Sequence, residues 1–148
     1  MTTDMPVLLR QGARAVAAGR VALGLTALAW PGVVARPWVG SADNVTGRVL
    51  GRALGGRDLA LGLGAVVALE SHSDDASSWV AAGALCDALD VAASLASWRE
   101  LPRFTRWLVL ASAGGAAVAG AAGAVAIRGS RKPVSDVQAP ETGQAVPA

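Results

Sequence analysis

Charge is what this chain has least of. A soluble domain gives about a quarter of its residues to Asp, Glu, Lys and Arg. Here the share is 16%, too little to solvate the surface of a water-soluble globule. A single cysteine, Cys86, excludes an internal disulfide and leaves no second thiolate for a metal. In its apolar segment it reads as a small buried hydrophobe. The only histidine, His72, stands beside Asp74 and Asp75 in a short acidic connection. One imidazole with two loop carboxylates is a thin donor set for a metal, and a solvated turn is the simpler reading. A catalytic Ser–His pair has no support. Walker loop, dinucleotide fingerprint, zinc spacing and nucleophile elbow are all missing. No catalytic residue, cofactor or metal is therefore expected. The net charge of +2 and pI near 9.5 do not imply nucleic acid, because the basic residues are spread along the chain and carry no binding motif. Arg supplies all of them but Lys132, which with the Ala and Gly excess points to GC-rich bacterial coding.

What is abundant is small and apolar. Hydrophobic residues make up 53% of the chain, Ala is the commonest residue, and there are 18 Gly. Such residues bury little area in water but let helices approach closely in lipid. Four segments are long enough to cross a bilayer: about 8–30, 44–69, 78–98 and 107–127. The last, Trp107 to Ile127, has no charge and only Ser112 as a hydroxyl, and at 1.5 Å per residue spans roughly 30 Å. Asp74, Asp75, Ser77 and Ser78 are N-cap candidates for the third. Pro31-Gly32 closes the first. The five tryptophans fall at segment boundaries, Trp30, Trp38, Trp98 and Trp107 toward one side and Trp79 toward the other, where tryptophan favours the membrane–water interface. The predicted architecture is an all-α four-helix transmembrane bundle over 1–128 with a disordered C-terminal tail, 129–148, too polar to offset its ordering entropy.

Four crossings place both termini on one side of a cell membrane. Arg10, Arg14, Arg128, Arg131 and Lys132 on that side balance Arg36, Arg48, Arg99, Arg103 and Arg106 on the other, so the positive-inside count is tied. The first helix tips the preference to a cytoplasmic N-terminus. A signal-peptidase site at Ala27-Leu28-Ala29 is the competing parse, opposed by the Trp30-Pro31 that follows. A soluble Ala-rich bundle is opposed by the 107–127 run, which has no polar face.

The charges inside the helices carry the chemistry. On the third helix Gly83, Asp87, Asp90, Ser94 and Ser97 share one arc. On the second, Gly47, Gly51, Gly55, Asp58 and Gly62 form a single stripe suited to close helix packing. Arg20 lies among Ala17, Gly24 and Ala27 on the first helix. Ionised groups in hydrocarbon each cost a few kcal/mol even on lenient scales (about 2.5–3.5), so they face one another or water. The expected network pairs Arg20, Arg52 and Arg57 with Asp58, Asp87 and Asp90, three against three. An ion-pair network that only fixes helix register is the simpler account, and a proton relay or polar-ligand site is the competing one. The step Gly115–Ala119–Gly123 on the last helix reads as internal packing.

The run Gly51-Arg52-Ala53-Leu54-Gly55-Gly56-Arg57-Asp58-Leu59-Ala60-Leu61-Gly62, with Leu28-Ala29-Trp30-Pro31 before it and Asp87-Ala88-Leu89-Asp90 after it, resembles the Gly-x-Arg-Asp-x-x-x-Gly signature of small bacterial four-helix membrane proteins of unknown function, similar in layout to the DoxX-like group. The likeness covers roughly residues 14 to 127 and is a pattern match. It implies the four-helix fold and weight on Arg57, Asp58, Asp87 and Asp90, and supplies no reaction. Three functions follow as expectations: a non-enzymatic accessory or scaffold subunit, a small transporter or proton-coupled carrier using the carboxylates, and a DoxX-like membrane redox partner. The expected partners are the lipid bilayer and another membrane protein or a second copy.

Overall fold

The computed structural model describes residues 4–39 and 43–129, and among them there are five helices and no strand. Helix α1 runs Asp4–Ala29, α2 Pro31–Val39, α3 Val45–Glu70, α4 Ala76–Ala96 and α5 Arg103–Gly129. The expected tail lies, apart from Gly129, outside the described residues. Two helices, α4 and α5, are long and apolar enough to cross a membrane, and α1 with α2 qualifies as a third if that bent pair is one span. Helix α3, at 26 residues, has the length, but its charges keep it below that standard.

Helix α2 corrects the expected connection after Trp30. Proline ends a preceding helix because it has no N–H to donate. For the same reason, and because its φ is preset, it suits the first position of the next helix. Pro31 does both. The Trp30 N–H still donates to the Thr26 carbonyl at 2.7 Å, closing α1, and Val33 N–H donates to the Trp30 carbonyl at 3.0 Å, opening α2. The chain turns by 104° at this joint. Helix α2 then lies across one end of the bundle, where its Pro37 carbonyl accepts from Thr105 Oγ1 of α5 at 2.8 Å and Trp38 Nε1 donates to Ser94 Oγ of α4 at 3.2 Å.

Other boundaries have local causes. Asn44 is extended (φ −83°, ψ 168°) and its Oδ1 accepts from Gly47 N–H at 2.7 Å, an N-cap on α3. Gly47 thus belongs to the capped first turn. Asn44→Ala is expected to cost about 1 kcal/mol, readable as a lower midpoint of thermal unfolding in detergent. Asp75 occupies the α4 N-cap position, although its side chain makes no cap bond. Between α3 and α4 the Ser73 N–H reaches the Ala68 carbonyl at 2.9 Å and His72 takes a left-handed φ of 54°. This is the Schellman pattern, with histidine where glycine is usual. His72 therefore terminates a helix.

The interior is built from small residues. Buried apolar positions are mostly alanine, among them Ala13, Ala17, Ala27, Ala65, Ala68, Ala84 and Ala124, and Leu69 is the only large side chain fully enclosed among the described residues. Large apolar side chains point outward instead: Leu25, Leu63, Val67, Leu85, Leu89, Val118 and Val125 are all exposed. This reverses the soluble pattern, in which Leu and Val dominate the core. Helix α1 packs along α3 and α5, and α4 packs along α5 and α3.

Alanine and glycine let the backbones nearly touch. A Cβ on Gly24 would lie 2.6 Å from the Gly55 carbonyl oxygen, one on Gly55 would lie 2.7 Å from Ala27 Cβ, and one on Gly62 would lie 2.9 Å from the Ala17 carbonyl oxygen. A Cβ on Gly51 would lie 3.0 Å from Pro31 Cβ of α2. Three of the four expected packing glycines thus line the α1–α2–α3 contacts. Gly64, outside the predicted stripe, is the floor on which the Trp79 ring lies. Trp79, read from sequence as a boundary residue, is therefore also part of the α3–α4 contact. On α5 it is Gly120, against Ala84, and Gly123, against Ala13, that pack inward, whereas Gly115 faces open space and stands outside the seam.

Candidate functional site: a five-residue Arg/Asp network

The seam that brings α1 onto α3 also fixes the charges. Arg20 follows Ala17 by three residues and precedes Gly24 by four, so it shares their face of α1. Asp58 stands in the same relation to Gly55 and Gly62 on α3. With backbones this close, Arg20 Nη1 donates to Asp58 Oδ1 at 3.0 Å. Its other terminal nitrogen, Nη2, reaches α4, donating to the Gly83 carbonyl at 2.6 Å and to Asp87 Oδ2. Gly83 makes room for this: a Cβ there would lie 3.1 Å from Arg20 Nε. Arg20, Asp58 and Asp87 are only 8%, 8% and 7% exposed, so each depends on its protein partners for solvation.

Arg57, half-buried, closes the other side. Its Nη1 and Nη2 grip Asp90 Oδ1 and Oδ2 at 3.1 and 2.7 Å, the two-toothed fork that guanidinium and carboxylate planes favour. Nη2 and Nε also reach Asp58 Oδ1 at 3.2 and 3.4 Å. The result is a continuous chain, Asp87–Arg20–Asp58–Arg57–Asp90, stitching α1, α3 and α4, with one oxygen of Asp58 shared between both guanidiniums. From Asp90 the polar line continues: its carbonyl accepts from Ser94 Oγ at 2.8 Å, and Ser94 Oγ accepts from Trp38 of α2.

Five of the six expected network residues therefore meet. Arg52 does not. It lies five residues before Arg57, about 140° round the helix, and its Nε donates to the Leu28 carbonyl at 3.2 Å on the exposed rim. The balance of three against three becomes two guanidiniums facing three carboxylates. A second contact between α1 and α3 closes the far end, with Arg10 Nη2 donating to the Leu69 carbonyl at 3.3 Å and Arg14 Nε 3.1 Å from Glu70 Oε1. The role of Ser94 as the link to α2 was visible only as membership of the Asp87 arc, because nothing in the sequence pairs it with Trp38.

Space beside Arg20 is small. The cavity there, walled by Ala13, Ala17, Ala65, Val80, Gly83 and Gly120, has a volume of about 10 Å³. That is room for one water at most. Among the described residues no three His, Cys, Asp or Glu side chains are placed to hold a metal ion. Cys86 is free and half-buried. Chemically, the arrangement can hold three helices in register. The chain matches no known protein family, no curated protein and no solved structure.

Proposed function

We propose that this protein is a small multi-pass membrane protein that acts as a non-enzymatic accessory or scaffold subunit, with the Arg/Asp chain as the clamp that holds its helices. In this reading α1, α3, α4 and α5 are four crossings, α2 lies in the interface at one end, and both termini share a side. The observation that carries it is that every carboxylate of the network has a guanidinium partner while the adjoining cavity admits no more than one water. A site for a solute needs room, and a clamp does not. The outward Leu and Val with inward Ala, Gly and charge suit lipid as the surrounding solvent. Helix α3, the most charged crossing, is accommodated in this reading because Arg20 and Asp90 pair its Asp58 and Arg57.

A second reading, a proton-coupled carrier, draws on one observation: three carboxylates face two guanidiniums, so the fully ionised cluster carries one uncompensated negative charge. A carrier would draw on that imbalance. Reconstitution into vesicles containing a pH-sensitive dye separates the two. Under the clamp reading, proton flux along an imposed gradient equals that of protein-free vesicles, and mild-detergent purification yields a complex with a second membrane protein in fixed ratio. A flux that Asp87→Asn abolishes while the variant stays folded would overturn the clamp reading in favour of transport.

A further inference from the structure

The turn between α4 and α5 carries chemistry that the helix network does not use. Trp98, Arg103, Phe104, Arg106 and Trp107 surround an open cleft of about 510 Å³. Trp98 and Trp107 meet edge to face, centroids 6.0 Å apart, and the Arg106 guanidinium lies 5.4 Å from the centre of the Trp98 ring. Arg106 is anchored by two backbone carbonyls, donating from Nε to Leu101 at 3.0 Å and from Nη2 to Arg99 at 3.3 Å. This fixes the guanidinium over the turn with Nη1 left over. The side chain of Arg103 has no hydrogen bond or ion pair to any described residue, and neither does that of Arg99. The turn holds three arginines against one acid, Glu100. Phe104 and Trp107 are 76% and 69% exposed.

We infer that this cleft binds the headgroup of an anionic phospholipid. The phosphate would sit between Arg103 and Arg106, and the acyl chains would lie along the rings of Phe104 and Trp107. Charge complementarity selects the ligand: two guanidiniums at the mouth of an aromatic cleft match a phosphate attached to hydrocarbon, whereas a free phosphate would leave the rings uncovered. The N-terminal end of α5, which Arg103 opens, adds the positive end of its helix dipole to the same field. Basic pockets beside interfacial aromatics are suited to anionic headgroups. The inference rests on the membrane placement proposed above.

The test uses the full chain extracted from membranes in mild detergent, mixed with phosphatidylglycerol or phosphatidylcholine and weighed intact by native mass spectrometry. Wild type is expected to retain phosphatidylglycerol in preference to phosphatidylcholine, and Arg103→Gln to reduce that preference about fivefold, the effect of one basic residue near an anionic surface. Arg128→Gln, at the opposite end of the bundle, is expected to leave it unchanged. Arg106 is kept intact because it holds the turn. Equal retention of the two lipids, or a preference that survives Arg103→Gln, would overturn the lipid site while leaving the membrane placement standing. Equal loss in Arg128→Gln, or displacement of the lipid by inorganic phosphate alone, would also overturn it. Recovery of the chain in the soluble fraction overturns both.

Discussion

Arg20→Met is expected to lower stability by about 3–5 kcal/mol, the usual loss when one partner of a buried ion pair is removed. The size follows from what stays behind. Asp87 loses its only guanidinium, the Gly83 carbonyl loses its side-chain donor, and Asp58 falls back on Arg57 alone. Methionine replaces the aliphatic stem and has no polar atom to offer, so packing along the stem is kept and most of the loss is electrostatic. The midpoint of thermal unfolding in detergent reads it directly. Adding Asp87→Leu to Arg20→Met is expected to recover much of the loss, because the stranded carboxylate is then gone while Asp58 keeps its second partner. A wild-type midpoint for Arg20→Met alone would mean that the clamp holds nothing.

Gly24→Leu is the second large effect, and it arises from contact between backbones. Even the first carbon of the new side chain would lie 2.6 Å from both the Gly55 carbonyl oxygen and the Leu59 nitrogen. Neither atom can rotate away, since both belong to the α3 backbone, so the helices must separate. Overpacking alone costs typically about 1–3 kcal/mol. Here the separation also stretches the Arg20–Asp58 contact, one turn away on each helix. A double-mutant cycle with Asp58→Asn is expected to show the two losses overlapping, with the pair costing less than the sum. Strict additivity would show that seam and charges are independent.

These two residues also mark how far the sequence could be read. Periodicity placed Arg20 and Gly24 on one small-residue face of α1, and Asp58 with Gly55 and Gly62 on one face of α3. Spacing reports which residues share a face, and when both faces are narrow and small they have few ways to meet. Arg52 shows the reverse case. Its charge inside the helix suggested membership, but rotation about the helix carries its head to the rim, where a carbonyl is at hand. Helix α2 was hidden because proline reads as a stop, and nothing local announces that a new helix starts on the same residue. Trp79 lying on Gly64 was hidden for a related reason: a boundary tryptophan and one packed on a neighbouring glycine have the same sequence signature.

Because Asp58 shares one oxygen between two guanidiniums, assembly during synthesis has a built-in order. When α3 emerges, Arg20 is already made, so Asp58 can be claimed at once and α1 and α3 can dock. Arg57 then has only the crowded oxygen of its neighbour until Asp90 is translated, 33 positions further along the chain. Helix α3 thus leaves the ribosome with one ion pair unmade, to be completed by a segment still to be synthesised. The three-helix clamp closes only when α4 arrives.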